Sequence, residues 1–286
     1  MTTAEITALT APTQFARATD GVTYAYRRFG RAGDVPLLML QHFRGNLDNW
    51  DPALIDALAA EREVVLVDYA GVSSSTGLPA HTVAETARQV IAFAEAIGLT
   101  RTDLLGFSLG GFVAQDVALT RPALVRRLVL AGTGPQGAPG THGTHGWRQD
   151  IADHARADNP GGEDLLYIFF AHTETSQAKG VEFLGRFLQR AEGRDTASSL
   201  AVRDAQYDAV LDWGIPNHGA LQRLTGIEAP TLIIQGDNDL MIPTRLSHLM
   251  AGLIPDATLR IYPDAAHASL FQYPEEAAAD VNTFLG

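Results

Sequence analysis

The sequence predicts an α/β fold: a mostly parallel sheet flanked by helices, with a helical insert. Three observations predict it. Short apolar runs alternate with amphipathic helical segments, the rhythm of strands joined by right-handed crossovers. The alternation stops near Gly132 and resumes at Ala229. Between them, from about Trp147 to Leu221, the chain reads as mostly helical, without strong strands.

Thr13 to Gly30 reads as two strands around a turn at Asp20-Gly21. "PLLMLQ" (Pro36 to Gln41) is a continuous apolar run, the kind buried on both faces of a sheet. "DPALIDALAA" (Asp51 to Ala60) has helical spacing, with Asp51 as N-cap and Pro52 in the first turn. "EVVLVD" (Glu63 to Asp68) is a second buried strand. The run His81 to Leu99 is a helix whose Val83, Ala87, Val90, Ile91 and Ala94 form one stripe. Thr82 and Glu85 have the spacing of a capping box, and Gly98 suits the C-terminal end. "TDLLGF" (strand), "SLGGFVAQDVALTRP" (helix) and "VRRLVLAG" (strand) follow. After the insert come the strand "APTLIIQGD", the helix "TRLSHLMAGLI", the strand "ATLRIYP" and a last helix, "PEEAAADVNTFL".

With 286 residues the chain suits one large domain carrying an insertion. A net charge of −12 argues against a nucleic-acid or anionic-membrane surface, because like charges repel. The absence of cysteine excludes disulfides, thiolate catalysis and Cys-ligated zinc. No secretion signal opens the sequence, and no apolar run approaches the roughly 20 residues that span a bilayer. These features lead us to expect a cytoplasmic protein. A homo-oligomer is compatible with the sequence.

"LLGFSLGGFVAQ" (Leu104 to Gln115) sets Ser108 between Gly106 and Gly110, after a strand and before a helix. A tight strand–turn–helix needs glycines where a β-carbon would collide, and it lifts the serine above the strand ends. The helix that starts there turns its N–H groups and dipole toward developing negative charge. A serine hydroxyl needs a base. Of nine histidines, His267 sits in a short loop between the last strand and the last helix. A carboxylate to orient it is expected past "PTLIIQG", where Asp237 and Asp239 both stand. His142, His145 and His154 form the best histidine cluster, but its spacing lacks the pattern of a zinc site.

From about Thr13 to Phe284 the sequence resembles the α/β-hydrolase superfamily, closest to capped serine esterases and cofactor-free haloperoxidase-like members. Four motifs carry the resemblance, in order: "LQHFRGNLDNW", "GFSLGG", "GDNDLMIP" and "AAHASLFQYPEE". The resemblance implies an eight-stranded, mostly parallel α/β-hydrolase sheet. Its core is residues 1–133 and 222–286, and residues 134–221 form a helical cap. It implies catalytic residues Ser108, Asp239 and His267. Asp239 is preferred over Asp237 because Gly236, Asp239 and Pro243 match the family spacing. It implies oxyanion donors at the backbone of Phe43 and Leu109. The chain departs from the pattern at Gln41-His42, which stand where members usually carry His-Gly.

The expected function is hydrolysis of a carboxylic ester or lactone through an acyl-enzyme on Ser108, with no metal or organic cofactor. Alternatives left open are haloperoxidase-like perhydrolysis, C–C hydrolysis or lyase chemistry with the same triad, and a non-catalytic small-molecule binder. The insert is rich in aromatics, and Trp147, Phe170 and Trp213, with His42 from the core, are expected to contact a mostly apolar, ester-like small molecule.

Overall fold

The computed structural model describes residues 6–138 and 146–286. Eight strands form one sheet in the order β1-β2-β4-β3-β5-β6-β7-β8. They are β1 (Gln14–Arg17), β2 (Thr23–Gly30), β3 (Leu37–Leu40), β4 (Glu63–Val67), β5 (Thr102–Phe107), β6 (Val125–Ala131), β7 (Thr231–Gly236) and β8 (Ala257–Tyr262). β1 and β2 run antiparallel; from β4 to β8 every pairing is parallel. The inner strands β3, β5 and β7 are buried along their whole length, as their unbroken apolar runs require. The outer strands β1 and β8 alternate in exposure, because each has a solvent-facing side.

Helices cover both faces. α1 (Pro52–Ala59) packs on the C-terminal α11 (Pro274–Leu285), and α2 (Val83–Ala96) packs on α3 (Leu109–Thr120). Asp51 caps α1 by accepting from the Ala53 N–H, with Pro52 at the first position. Thr82 caps α2 by accepting from the Glu85 N–H, one half of the expected capping box. Gly98 closes that helix at φ +76, a value that favours glycine.

Among the described residues five α-helices lie between β6 and β7: α4 (Gln149–Ala155), α5 (Gly162–Phe169), α6 (Glu174–Phe187), α7 (Leu200–Trp213) and α8 (His218–Gln222). After β7 come α9 (Arg245–Leu253) and α10 (Ser269–Gln272); the latter, four residues long, is absent from the sequence reading. None of the described helices is long and apolar enough to cross a membrane.

An ion pair and a backbone bond, each to a buried carboxylate, tie the interstrand segment to the elements around the sheet. Arg186 on α6 makes a forked contact with Asp51, at 2.6 Å from Nη2 to Oδ2, and Asp51 has no exposed surface. Arg27 on β2 bonds Asp48 at 2.5 Å, and the other Asp48 oxygen accepts from the Asp195 N–H at 2.6 Å. Burial and the neighbouring Asp195 push the Asp68 carboxyl well above its usual range.

Breaking the Arg186–Asp51 pair from the α6 side strands a buried carboxylate at a helix cap. Arg186→Met is expected to destabilise the protein by about 3 kcal/mol in urea unfolding. Asp51→Asn in the same background keeps the cap without the charge and is expected to recover part of that loss.

Candidate active site

The sheet order brings two loops together. From β3 the chain crosses to β4 on one side, whereas β5 lies on the other, so a crevice opens beyond the ends of β3 and β5. The register pairs Leu40 with Gly106. Phe43 follows Leu40 by three residues and Leu109 follows Gly106 by three, so both loops emerge at the same level.

Ser108 sits on a strained turn, with φ +56 and ψ −118. Residues other than glycine rarely adopt such a conformation, at a cost of about 1–3 kcal/mol. The backbone is held there by the Ser108 N–H on the Ala131 carbonyl, and by the Thr133 hydroxyl on the Ser108 carbonyl, each at 2.9 Å. The flanking glycines are required by contact. A β-carbon on Gly106 would lie 2.2 Å from the Gly110 carbonyl oxygen, and one on Gly110 2.1 Å from that of Leu40.

His267 Nε2 is 2.8 Å from Ser108 Oγ, and His267 Nδ1 is 2.8 Å from Asp239 Oδ2. All three side chains are buried. Asp239 Oδ2 also accepts from Gln235 Nε2, and Oδ1 accepts from the Met241 and Ile242 N–H groups at 2.8 Å. With its oxygens occupied the carboxylate has no freedom to turn. Asp237 is exposed and bonds Asn238 and the Ala265 N–H, away from the imidazole. The loop that carries His267 is fastened by the Ala268 N–H on the Phe169 carbonyl at the end of α5.

Among the described residues no acceptor bonds the Phe43 or Leu109 N–H. His42 stands where the motif usually has glycine. Its Nδ1 is 2.8 Å from the Phe43 carbonyl, and its ring meets Phe107 and Phe169 edge-on. Burial, with a smaller push from His267, lowers its pKa to about 4 against the Phe43 carbonyl, so the ring is neutral near pH 7.

A cavity of about 520 Å³ opens over Ser108 and His267. His42, Phe43, Ile168, Phe169, Phe187 and Met241 are among its lining residues. Three of the expected contact residues lie elsewhere. Phe170 is wholly buried, against Phe183 and beside Gly180. Trp213 stacks on Phe112 and donates to the Gly134 carbonyl. Trp147 packs edge-on against Phe43 and beside Tyr207. The two tryptophans share a separate void of about 30 Å³. Phe170 fills a joint within the interstrand segment, and the two tryptophans pack that segment against Phe43 after β3 and Phe112 on α3. His154 pairs with Asp164 at the cavity rim, while His142 and His145 lie outside the described residues.

Sequence reasoning missed Gln235, Thr133 and Arg44. Gln235 left a signal, a lone polar side chain closing the apolar run of β7, where burial demands a partner. Arg44 left none: its φ of +61 follows from the three-dimensional course of the loop.

A family model described as the alpha/beta hydrolase fold matches residues 35–274. The chain is 35% identical to an alpha/beta hydrolase fold protein from Chitinophaga pinensis, whose structure superposes with a TM-score of 0.89 over 98% of this chain and 99% of that one. It is 27% identical to a pimeloyl-[acyl-carrier protein] methyl ester esterase from Edwardsiella ictaluri, over 88% of this chain and 94% of that protein. It is also 27% identical to a biotin biosynthesis bifunctional protein from Teredinibacter turnerae, over 82% of this chain but 41% of that longer protein.

The lowered pKa of His42 has a consequence for stability. Its ordinary value is 6.5 and its folded value about 4, so the unfolded chain binds the proton first. The contribution, about 3 kcal/mol, is complete above pH 6.5, declines as the pH falls toward 4, and changes no further below that. Urea midpoints measured from pH 7 to 4.5 are expected to show this decline, and His42→Asn is expected to flatten it.

Proposed function

The chain belongs to the alpha/beta hydrolase fold family, and from that premise we propose that it is a serine hydrolase cleaving a carboxylic ester or lactone through an acyl-enzyme on Ser108. The observation that carries this reading is the unbroken hydrogen-bond chain from Ser108 through His267 to Asp239 at the wall of a large cavity. The Edwardsiella relative, named as an esterase, lends support from outside.

In this reading Ser108 Oγ attacks the acyl carbon while His267 Nε2 takes its proton. Asp239 accepts from His267 Nδ1–H, fixes the tautomer and stabilises the imidazolium. The Phe43 and Leu109 N–H groups bond the oxyanion, an effect worth roughly 3–4 kcal/mol per donor in comparable sites. The dipole of α3 adds to the same field. His267 then returns its proton to the departing alcohol oxygen and the acyl-enzyme forms. A water molecule, deprotonated by His267, attacks the acyl carbon, and the second tetrahedral state collapses as His267 returns that proton to Ser108 Oγ, freeing Ser108 and the carboxylic acid. Residues 134–221 act as the cap. Its Ile168, Phe169 and Phe187, with Met241 from the core, give the acyl group apolar surroundings. A medium, mostly apolar acyl chain is the substrate class that fits.

A fluorophosphonate probe is expected to add to the intact protein once, with the mass shift located on Ser108 and absent from Ser108→Ala. Equal labelling of the folded Ser108→Ala protein would sink the reading. Against a p-nitrophenyl ester panel, Asp239→Asn is expected to lower kcat by about three to four orders of magnitude, since the amide favours the wrong tautomer.

A further inference from the structure

We propose that Arg44 is a positioning residue for the oxyanion hole, through which the helices between β6 and β7 hold the Phe43 N–H in place; this rests on the serine-hydrolase reading above. Arg44 is the residue after the donor. Its turn is closed by the Gly45 N–H on the His42 carbonyl at 3.0 Å. Arg44 takes the third position with φ +61, where glycine is the usual occupant. Such a conformation persists when its surroundings over-determine it.

Here the surroundings come from the interstrand segment. The Arg44 N–H donates to Gln206 Oε1 on α7 at 2.6 Å. The Arg44 carbonyl accepts from Ser198 Oγ at 2.6 Å. The guanidinium donates to the Ala157 carbonyl at 2.7 Å and to that of Asp158 at 3.3 Å. The Phe43 ring packs edge-on against Trp147 and Tyr207 of the same segment.

The peptide planes on either side of the donor explain why this matters. The plane before it is held by the sheet domain: the His42 N–H donates to Gln41 Oε1, and the Tyr69 hydroxyl to the Gln41 carbonyl. The plane after it joins Phe43 to Arg44. Its carbonyl faces His42 Nδ1, and its N–H is held by Gln206. The Phe43 N–H shares its peptide plane with the His42 carbonyl, which the Gly45 N–H holds while the turn stays closed, and Gln206 on α7 holds the Phe43–Arg44 half of that turn. Without Gln206 the backbone at Arg44 relaxes toward an ordinary negative φ, the Gly45 N–H leaves the His42 carbonyl, and the donor's peptide plane loses the bond that aims it. The loss would fall on the transition state, where the oxyanion exists, and not on ground-state binding.

The test uses the full-length protein with a p-nitrophenyl ester and an arylboronic acid, which forms a tetrahedral adduct on the serine. Gln206→Ala and Ser198→Ala are expected to lower kcat by about 10- to 100-fold with KM within about twofold. The boronate inhibition constant is expected to rise by the same factor. Gln206→Glu and Ser198→Thr keep the acceptor and the donor, and are expected to restore most of kcat. Arg44→Gly suits a positive φ, so it folds if the alanine variants do not. It loses the guanidinium anchors but keeps the backbone bonds to Gln206 and Ser198, and is expected to show the same split by a smaller factor. A raised KM with unchanged kcat and boronate affinity would overturn the proposal, because that pattern belongs to cap packing alone. If wild-type protein neither turns over the ester nor takes a fluorophosphonate on Ser108, the serine-hydrolase reading falls, and this proposal with it.

Discussion

The site depends on one contact, the approach of the first turn of α3 to the end of β3. Gly110 lies so close to the Leu40 carbonyl that no β-carbon fits between them. That approach, with Leu40 and Gly106 paired in register, sets the loop after β3 beside the loop after β5. Everything else follows from the adjacency. Ser108 is forced to a positive φ at the head of α3, and two backbone N–H groups without acceptors among the described residues come from neighbouring loops. The strain at Ser108 is held by ordinary hydrogen bonds to Ala131 and Thr133, both from the neighbouring β6 strand and its loop.

The sheet was legible because its inner strands are unbroken apolar runs, and their alternation with helices leaves few topologies. The residues that meet at Ser108 were legible for a related reason: turns at the ends of parallel strands need particular residues. Gly106 and Gly110 mark one turn, and Gly236, Asp239 and Pro243 another. The choice between Asp237 and Asp239 rested on that spacing, and geometry places Asp239 beside the imidazole. The cavity wall was not legible. Phe169 and Phe170 are adjacent in sequence; the first faces the cavity and the second is buried against Phe183. Composition cannot separate them, because the difference is where α5 ends. Arg44 was invisible for a similar reason, since nothing local announces a positive φ at an arginine.

The interstrand helices are more than a cover for the cavity. They hold Asp51 through Arg186, bind Asp48 through the Asp195 backbone, and fasten the histidine loop through the Phe169 carbonyl. The last contact adjoins His267, and the other two hold the stretch that leads from Phe43 to α1. A rearrangement of these helices would therefore disturb the site's backbone geometry as well as its access.

The buried ion pairs limit how freely this architecture can be recombined. Exchanging the interstrand helices for those of a relative looks simple on a topological diagram, since one segment leaves and re-enters between two adjacent strands. The charges say otherwise. Asp51 would remain in the sheet domain with its guanidinium partner removed, and Asp48 would lose one of its N–H donors. An uncompensated carboxylate in low dielectric is among the costliest defects a graft can create. A chimera would have to bring an arginine to the position of Arg186, or remove the acid at position 51. The unit that can be transplanted is therefore the helical segment together with its electrostatic counterparts in the sheet domain.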